Sequence, residues 1–296
     1  MSDWKGKSKG SVFGYKVFVF LLKNLGVKPA YFLLYFVAFY YLLTSFKTNK
    51  YTYIYFRKRH QFSILKSIIG IYKTYLQLGK SLIDRIAIST DLQDKFTFEF
   101  DGIDHIQKMI DSAQGGLIFT AHIGNFNVAQ RFFDRFTQNQ KMYMVITDAE
   151  HRQIKDYISQ LVNSNVLQLI VIKEDMSHIF EINQAIQNNE IIIFAADRSG
   201  KGRQIYTTFL GKASPFFEGP FKLAAQKKLP ILFAYIMREP KSHYHLYARP
   251  FISDDFSKKN ILNNYIASLE KMVKKYPYQW FNFYDFWEEF NSYESN

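Results

Sequence analysis

Gly115-Gly116-Leu117-Ile118-Phe119-Thr120-Ala121-His122-Ile123-Gly124-Asn125-Phe126-Asn127 changes its hydrophobic period midway. Residues 117–121 form a short apolar run after two glycines, the pattern of a buried strand. An Ile-Gly-Asn turn follows, and residues 126–136 are apolar at helical spacing. The histidine therefore stands at the carboxyl end of a buried strand, beside a helix start. Open α/β sheets bind their ligands at such ends. A histidine that merely closes a βα turn occupies the same position, so placement alone leaves both roles open.

Further along the chain, strands and helices keep alternating. Strands are expected over 96–100, 142–146, 167–172, 191–195, 231–236 and 243–248. Helices are expected over 104–113, 148–161, 176–188, 221–227 and 261–275. This order predicts an α/β fold, a mixed and mostly parallel sheet with helices on both faces.

Before the quoted stretch the composition changes. The 296-residue chain carries a net charge of +12, and residues 4–83 contain no acid against 14 Lys and Arg. Two apolar runs, 17–22 and 30–43, lie inside this basic region. The second is at or below the roughly 17 residues that a spanning helix needs. Lys16, Lys23, Lys28, Lys47 and Lys50 flank the runs, and Arg57-Lys58-Arg59 follows. Nucleic-acid binding explains the lysines but not residues 31–41, which carry no charge. Helices lying in an anionic membrane surface explain both, and a core helix remains the other reading of 30–46. A long helix is expected over 61–87. The turn-like residues 89–93 divide a basic, apolar, membrane-associated helical segment, 1–88, from an α/β domain, 89–296.

The 30 Phe and 21 Tyr suit cores and membrane interfaces. There is no cysteine, which excludes disulfides, thiolate nucleophiles and Cys-based metal sites. The polar start, residues 1–10, is unlike a secretory signal. His243-x-His245 alternates on a strand and is expected to face solvent. No dinucleotide fingerprint, P-loop or metal-ligand pattern is present, so neither cofactor nor metal is expected.

The opening stretch, as Gly-x-Ile-x-x-Ala-His-x-Gly-Asn-Phe, resembles the catalytic block of the bacterial lipid A late acyltransferases, within the lysophospholipid acyltransferase superfamily. Three further blocks are similar to that family, in order. They are Ala196-Asp197-Arg198-Ser199-Gly200-Lys201-Gly202; Phe209-Leu210-Gly211-Lys212-Ala213 followed by Gly219 and Leu223-Ala224; and Tyr276-Pro277-Tyr278-Gln279-Trp280. In the second block the alanine comes one residue early. The resemblance implies a glycerol-3-phosphate acyltransferase-like fold and a donor on acyl carrier protein or coenzyme A. It implies a lipid acceptor such as a lipid A precursor, and the cytoplasmic face of the bacterial inner membrane. The family places an acid five residues after its histidine, where this chain has Asn127.

Acyl transfer from a thioester needs a base for the acceptor's proton and donors for the oxyanion. His122 is the candidate base. A neutral amide at Asn127 cannot stabilise the imidazolium that forms. Three readings follow: the enzyme borrows another carboxylate, it acts slowly on an easy acceptor, or the protein is a non-catalytic lipid-binding homologue. Asp197 and Glu150 each follow an expected strand, and Asp197 ranks first as substitute because it is closer to its strand end and matches the acidic loop that the resemblance implies. Glu150 is second, and Asp134 lies about 10 Å along a helix from Asn127. Candidate substrate contacts are Gly124, Asn125, Phe126, Glu150, Arg198, Gly200, Lys201 and Arg203. An acyl groove is expected beside His122, with Phe126 in its wall.

Overall fold

The structure, a computed structural model, describes residues 12–90, 92–129, 140–147, 167–199 and 202–287. Seven strands form one sheet: β1 (Thr97–Asp101), β2 (Gly116–Thr120), β3 (Met142–Thr147), β4 (Leu167–Ile172), β5 (Ile191–Ala195), β8 (Ile231–Glu239) and β9 (His243–Pro250). Their order across the sheet is β1-β9-β8-β2-β5-β3-β4. All neighbours run parallel except β8 and β9. A separate antiparallel hairpin pairs β6 (Gln204–Phe209) with β7 (Lys212–Phe217). The sequence reading did not anticipate this hairpin.

The central strands are apolar throughout because both sheet faces are covered. Alternate side chains enter opposite layers. Leu117, Phe119, Ile192 and Phe194 pack with Phe221 of α7 (Glu218–Lys227) and Tyr265 and Leu269 of α8 (Lys258–Lys275). Ile118, Ile191 and Ile193 enter the other layer. They share it with Val19 of α1 (Val12–Leu25), Ala30 and Leu34 of α2 (Val27–Thr44), Ile83 of α4 (Ile64–Ile88) and Ile106 of α5 (Ile103–Asp111). Each fully buried side chain of this size contributes about 1.5–3 kcal/mol. Helix α6 (Ser177–Gln187) lies between β4 and β5 in the chain.

Helix α2 buries only one narrow stripe, Ala30, Leu34 and Ala38, spaced by four. Phe32, Tyr35, Phe36, Phe39, Tyr40 and Leu43 are exposed. Its 18 residues have a mean hydropathy of 1.3, apolar enough to cross a membrane by length and composition. After α3 (Phe46–Ile54), a single π turn, Tyr55–Arg59, swings Tyr55 and Phe56 into the core. Ile64, Leu65, Ile68 and Ile69 at the start of α4 are again exposed.

The helix expected over 126–136 begins as a 3-10 turn, Phe126–Val128, and residues 130–139 lie outside the described residues. The helix expected over 148–161 also lies outside them. His243 and His245 do not look freely into solvent. Both face Glu99 of β1, at 3.5 and 3.6 Å.

Candidate active site

Parallel pairing of β2 with β5 sets the site. The register opposes Thr120 to Ala195. Ala196 N–H then donates to Thr120 O at 3.0 Å, carrying the pairing one residue beyond the strands. Two residues past the registered pair on each chain stand His122 and Asp197. They meet as neighbours on the sheet's carboxyl edge.

The Asp197 side chain is 2 % exposed and every contact on it is a donor. Its Oδ1 accepts the His122 backbone N–H at 2.9 Å and lies 2.7 Å from His122 Nδ1. Its Oδ2 accepts Trp280 Nε1–H at 2.8 Å. Burial by itself raises this carboxyl's pKa. The neighbouring His122, Arg198 and the Trp280 bond outweigh burial and bring it down to about 2. An ionised carboxylate only accepts hydrogen bonds, so the imidazole proton sits on Nδ1. This leaves the lone pair on Nε2, which no described residue hydrogen-bonds. The His122 side chain is 36 % exposed. Burial, then the Arg198 guanidinium, push its pKa below the ordinary value, against the pull of Asp197. The imidazole is thus neutral at neutral pH, basic at Nε2 and reachable.

A strap formed by residues 279–281 braces the turn after His122. Phe281 N–H donates to His122 O at 2.8 Å, and Gly124 N–H donates to Gln279 O at 2.9 Å. Ile123 and Trp280 form an antiparallel bridge. Gly124 has φ +63°, and a Cβ there would sit 2.1 Å from Ile236 O. Only glycine lets the turn approach β8 this closely. Asn125 is 3 % exposed. Its backbone N–H donates to Ile236 O at 2.8 Å. Its amide donates to Ser81 O at 2.9 Å and to Tyr244 Oη at 3.2 Å. Phe126 packs in the core layer that holds Val128 and Ile236.

Of the other residues singled out in the sequence, Arg198 is half-buried and near enough to act electrostatically on both members of the pair. Arg203 is exposed, 3.8 Å from the Glu218 carboxylate. The Asn127 backbone belongs to the 3-10 turn, while its side chain, together with Asp134, Glu150, Gly200 and Lys201, falls outside the described residues. Two features escaped the sequence reading. Trp280 was quoted as part of a motif without a role. Asp84 is the first acid after residue 3 and stands in a helical stretch with the apolar Ile83, Ile86 and Ala87 around it, a signal of a buried charge.

A neutral imidazole backed by a buried carboxylate, at the carboxyl edge of a mostly parallel sheet, has the chemistry to take up and release a proton. The sequence profile of the family described as bacterial lipid A biosynthesis acyltransferase matches residues 71–289. The chain belongs to that family of acyltransferases. No curated protein matches it.

Proposed function

We propose that the protein moves a fatty acyl group from an acyl thioester, on acyl carrier protein or coenzyme A, to a hydroxyl or amine of a membrane amphiphile such as a lipid A precursor. The carrying observation is the 2.7 Å contact between His122 Nδ1 and Asp197 Oδ1. In this reading Nε2 of His122 takes the acceptor's proton as the acceptor oxygen or nitrogen attacks the thioester carbonyl. Asp197 stabilises the imidazolium. The tetrahedral intermediate then expels the thiolate, which leaves as thiol with that proton. Backbone N–H groups of Ser199, Gly200 and Gly202 are the proposed oxyanion donors, and Arg198 holds the local field positive. A positioned base of this kind contributes about 10²–10⁴ in rate. Asp197 meets the need for a carboxylate that Asn127 leaves open, which supports an enzyme over a lipid-binding homologue.

The exposed apolar face of α2 and the exposed start of α4, with basic residues around them, support seating on the cytoplasmic face of the inner membrane. Residues 1–88 would be the membrane-facing part in this reading. The test uses the full chain in detergent or proteoliposomes, labelled acyl carrier protein or coenzyme A thioester, and total bacterial membrane lipid. Wild type should label a lipid, and His122→Ala should lose about 10³-fold. Labelling that survives His122→Ala undiminished would remove this mechanism. A full chain that ignores anionic vesicles would remove the membrane seat.

A further inference from the structure

The turn that carries His122 is also held from behind, by a polar cluster that the acid–base chemistry does not use. Asp84, on α4, is fully buried. Its carboxylate accepts Arg238 Nε–H at 2.8 Å, Tyr244 Oη–H at 2.6 Å, and the hydroxyl of Tyr31. Arg238 Nη2 donates to the Tyr31 oxygen at 3.1 Å. Tyr244 Oη in turn accepts from the Asn125 amide. The backbone of Arg238 is clasped by Gln279, whose Oε1 accepts Arg238 N–H at 3.0 Å and whose Nε2 donates to Arg238 O at 2.6 Å. The Gln279 carbonyl receives Gly124 N–H. Two chains of hydrogen bonds therefore run from Asp84 to the catalytic turn. One passes through Tyr244 to Asn125, the other through Arg238 and Gln279 to Gly124. A third arm reaches Tyr31 on α2, the helix with the exposed apolar face.

We propose that Asp84 is a positioning residue for His122, and that it ties the catalytic turn to the seat of α2. The inference rests on His122 being the base. A buried carboxylate with every oxygen engaged cannot relax without stranding a partner, so the cluster has one low-energy arrangement. That arrangement fixes Gly124 and Asn125, two and three residues beyond the imidazole. A displacement of about 1 Å in a reacting group costs as much as 10²-fold in rate. The cluster is therefore placed to govern turnover without touching substrate.

Asp84→Asn strands the Arg238 cation and is a poor probe of position. Tyr244→Phe is sharper, because it keeps the ring and the Asp84–Arg238 pair and removes only the hydroxyl between Asp84 and Asn125. Tyr31→Phe removes the α2 arm in the same way. Tyr247→Phe, on the same strand as Tyr244, deletes a hydroxyl bonded to Tyr276 and Lys275 and is the control for losing a half-buried hydroxyl. The full chain, labelled with ¹⁵N-histidine, is read by NMR without substrate, His122 being assigned by its loss in His122→Ala. Tyr244→Phe should shift the His122 Nδ1–H resonance, and Tyr31→Phe should shift it in the same direction by less. Tyr247→Phe should leave it in place. In turnover, Tyr244→Phe should lower kcat roughly tenfold or more, within the about 10² allowed for misplacement, with KM held within about twofold. A His122 resonance and kcat no more disturbed by Tyr244→Phe than by Tyr247→Phe would overturn the positioning role. A silent Tyr31→Phe beside an active Tyr244→Phe would overturn the tie to α2. Because the resonance needs no substrate, a wild type that transfers no acyl group sinks the functional reading without being mistaken for either result.

Discussion

Two buried carboxylates stand on either side of one turn, and they have opposite fates. Asp197 gives one oxygen to the backbone and ring of His122 and the other to Trp280. Asp84 gives its oxygens to Arg238, Tyr244 and Tyr31. The partner of Asp197 can gain and lose a proton, and its ring is 36 % exposed. The partner of Asp84 is a permanent cation with a side chain only 6 % exposed. A buried carboxylate beside a titrating, reachable group has the means for chemistry. One beside an enclosed guanidinium can only hold shape. The contrast separates activity from stability, and substitutions can test the two apart.

The largest effect is expected at Asp197. Asp197→Asn keeps the volume but removes the charge and allows the wrong imidazole tautomer. The comparable change in a serine-protease triad costs about 10⁴ in rate. Acyl transfer should fall on that order, and the melting temperature should fall as well, because the amide NH2 would face the His122 or Trp280 donors. Asn127→Ala should cost far less. Equal losses in Asp197→Asn and Asn127→Ala would give both positions the same weight and erase the assignment.

Next in size, Asp84→Asn should act on stability first. Breaking a buried pair by removing one partner costs about 3–5 kcal/mol, because the other charge is left uncompensated. Denaturant titration of the full chain in detergent should show that loss. A change below about 1 kcal/mol would mean that water or another group replaces the carboxylate, and that Arg238 is not enclosed as described.

The smallest effect concerns pH, and it marks where a third cation-facing group departs from both carboxylates. Burial, then Lys274 and Lys66, lower the His60 pKa to about 4. A folded pKa below the unfolded value near 6.5 means that the native state binds fewer protons than the unfolded chain. The resulting stability is fully present above pH 6.5 and is lost as pH falls toward 4. His122, also lowered, adds loss of the same sign. Thermal scans from pH 7 to 4 should show a falling melting temperature, and His60→Phe should flatten part of that fall. An unchanged slope in His60→Phe would place the titrating group elsewhere.

Much of the sheet was legible before any coordinates. Residues 191–195 are a continuous apolar run between turn residues, and a parallel strand covered on both faces takes that form. The hairpin of β6 and β7 was not legible, for a local reason. Its two-residue turn is Leu210-Gly211, with φ of +49° and +80°. Such turns favour Asn-Gly or Asp-Gly, and a leucine held at positive φ hides the signal. Within the site, both strand ends could be read from the sequence, but their adjacency depends on strand order, which periodicity does not encode. For the same reason Asp84 was visible as an isolated acid, while Arg238, 154 residues away, was not visible as its partner.

The alignment of β2 and β5 has a mechanical origin far from the histidine. Ile191-Ile192-Ile193-Phe194 is apolar on both sides, so nothing in its alternation prefers one pairing over a slip of one residue. Selection occurs at the opposite end of the strand. Gly116 N–H reaches Glu190 O at 3.4 Å, and Gly115, at φ +73°, lies so near that a Cβ would meet Glu190 O at 2.7 Å. This tight crossing acts as the zero mark of a ruler, and the strands carry its setting to the far edge. An insertion or a deletion of one residue among Asn188, Asn189 and Glu190 would move the ruler by a single step of about 3.3 Å in one direction or the other. Ala196 or Arg198 would then face His122, so a connection remote from the chemistry decides whether the imidazole meets an anion, a methyl group or a repelling cation.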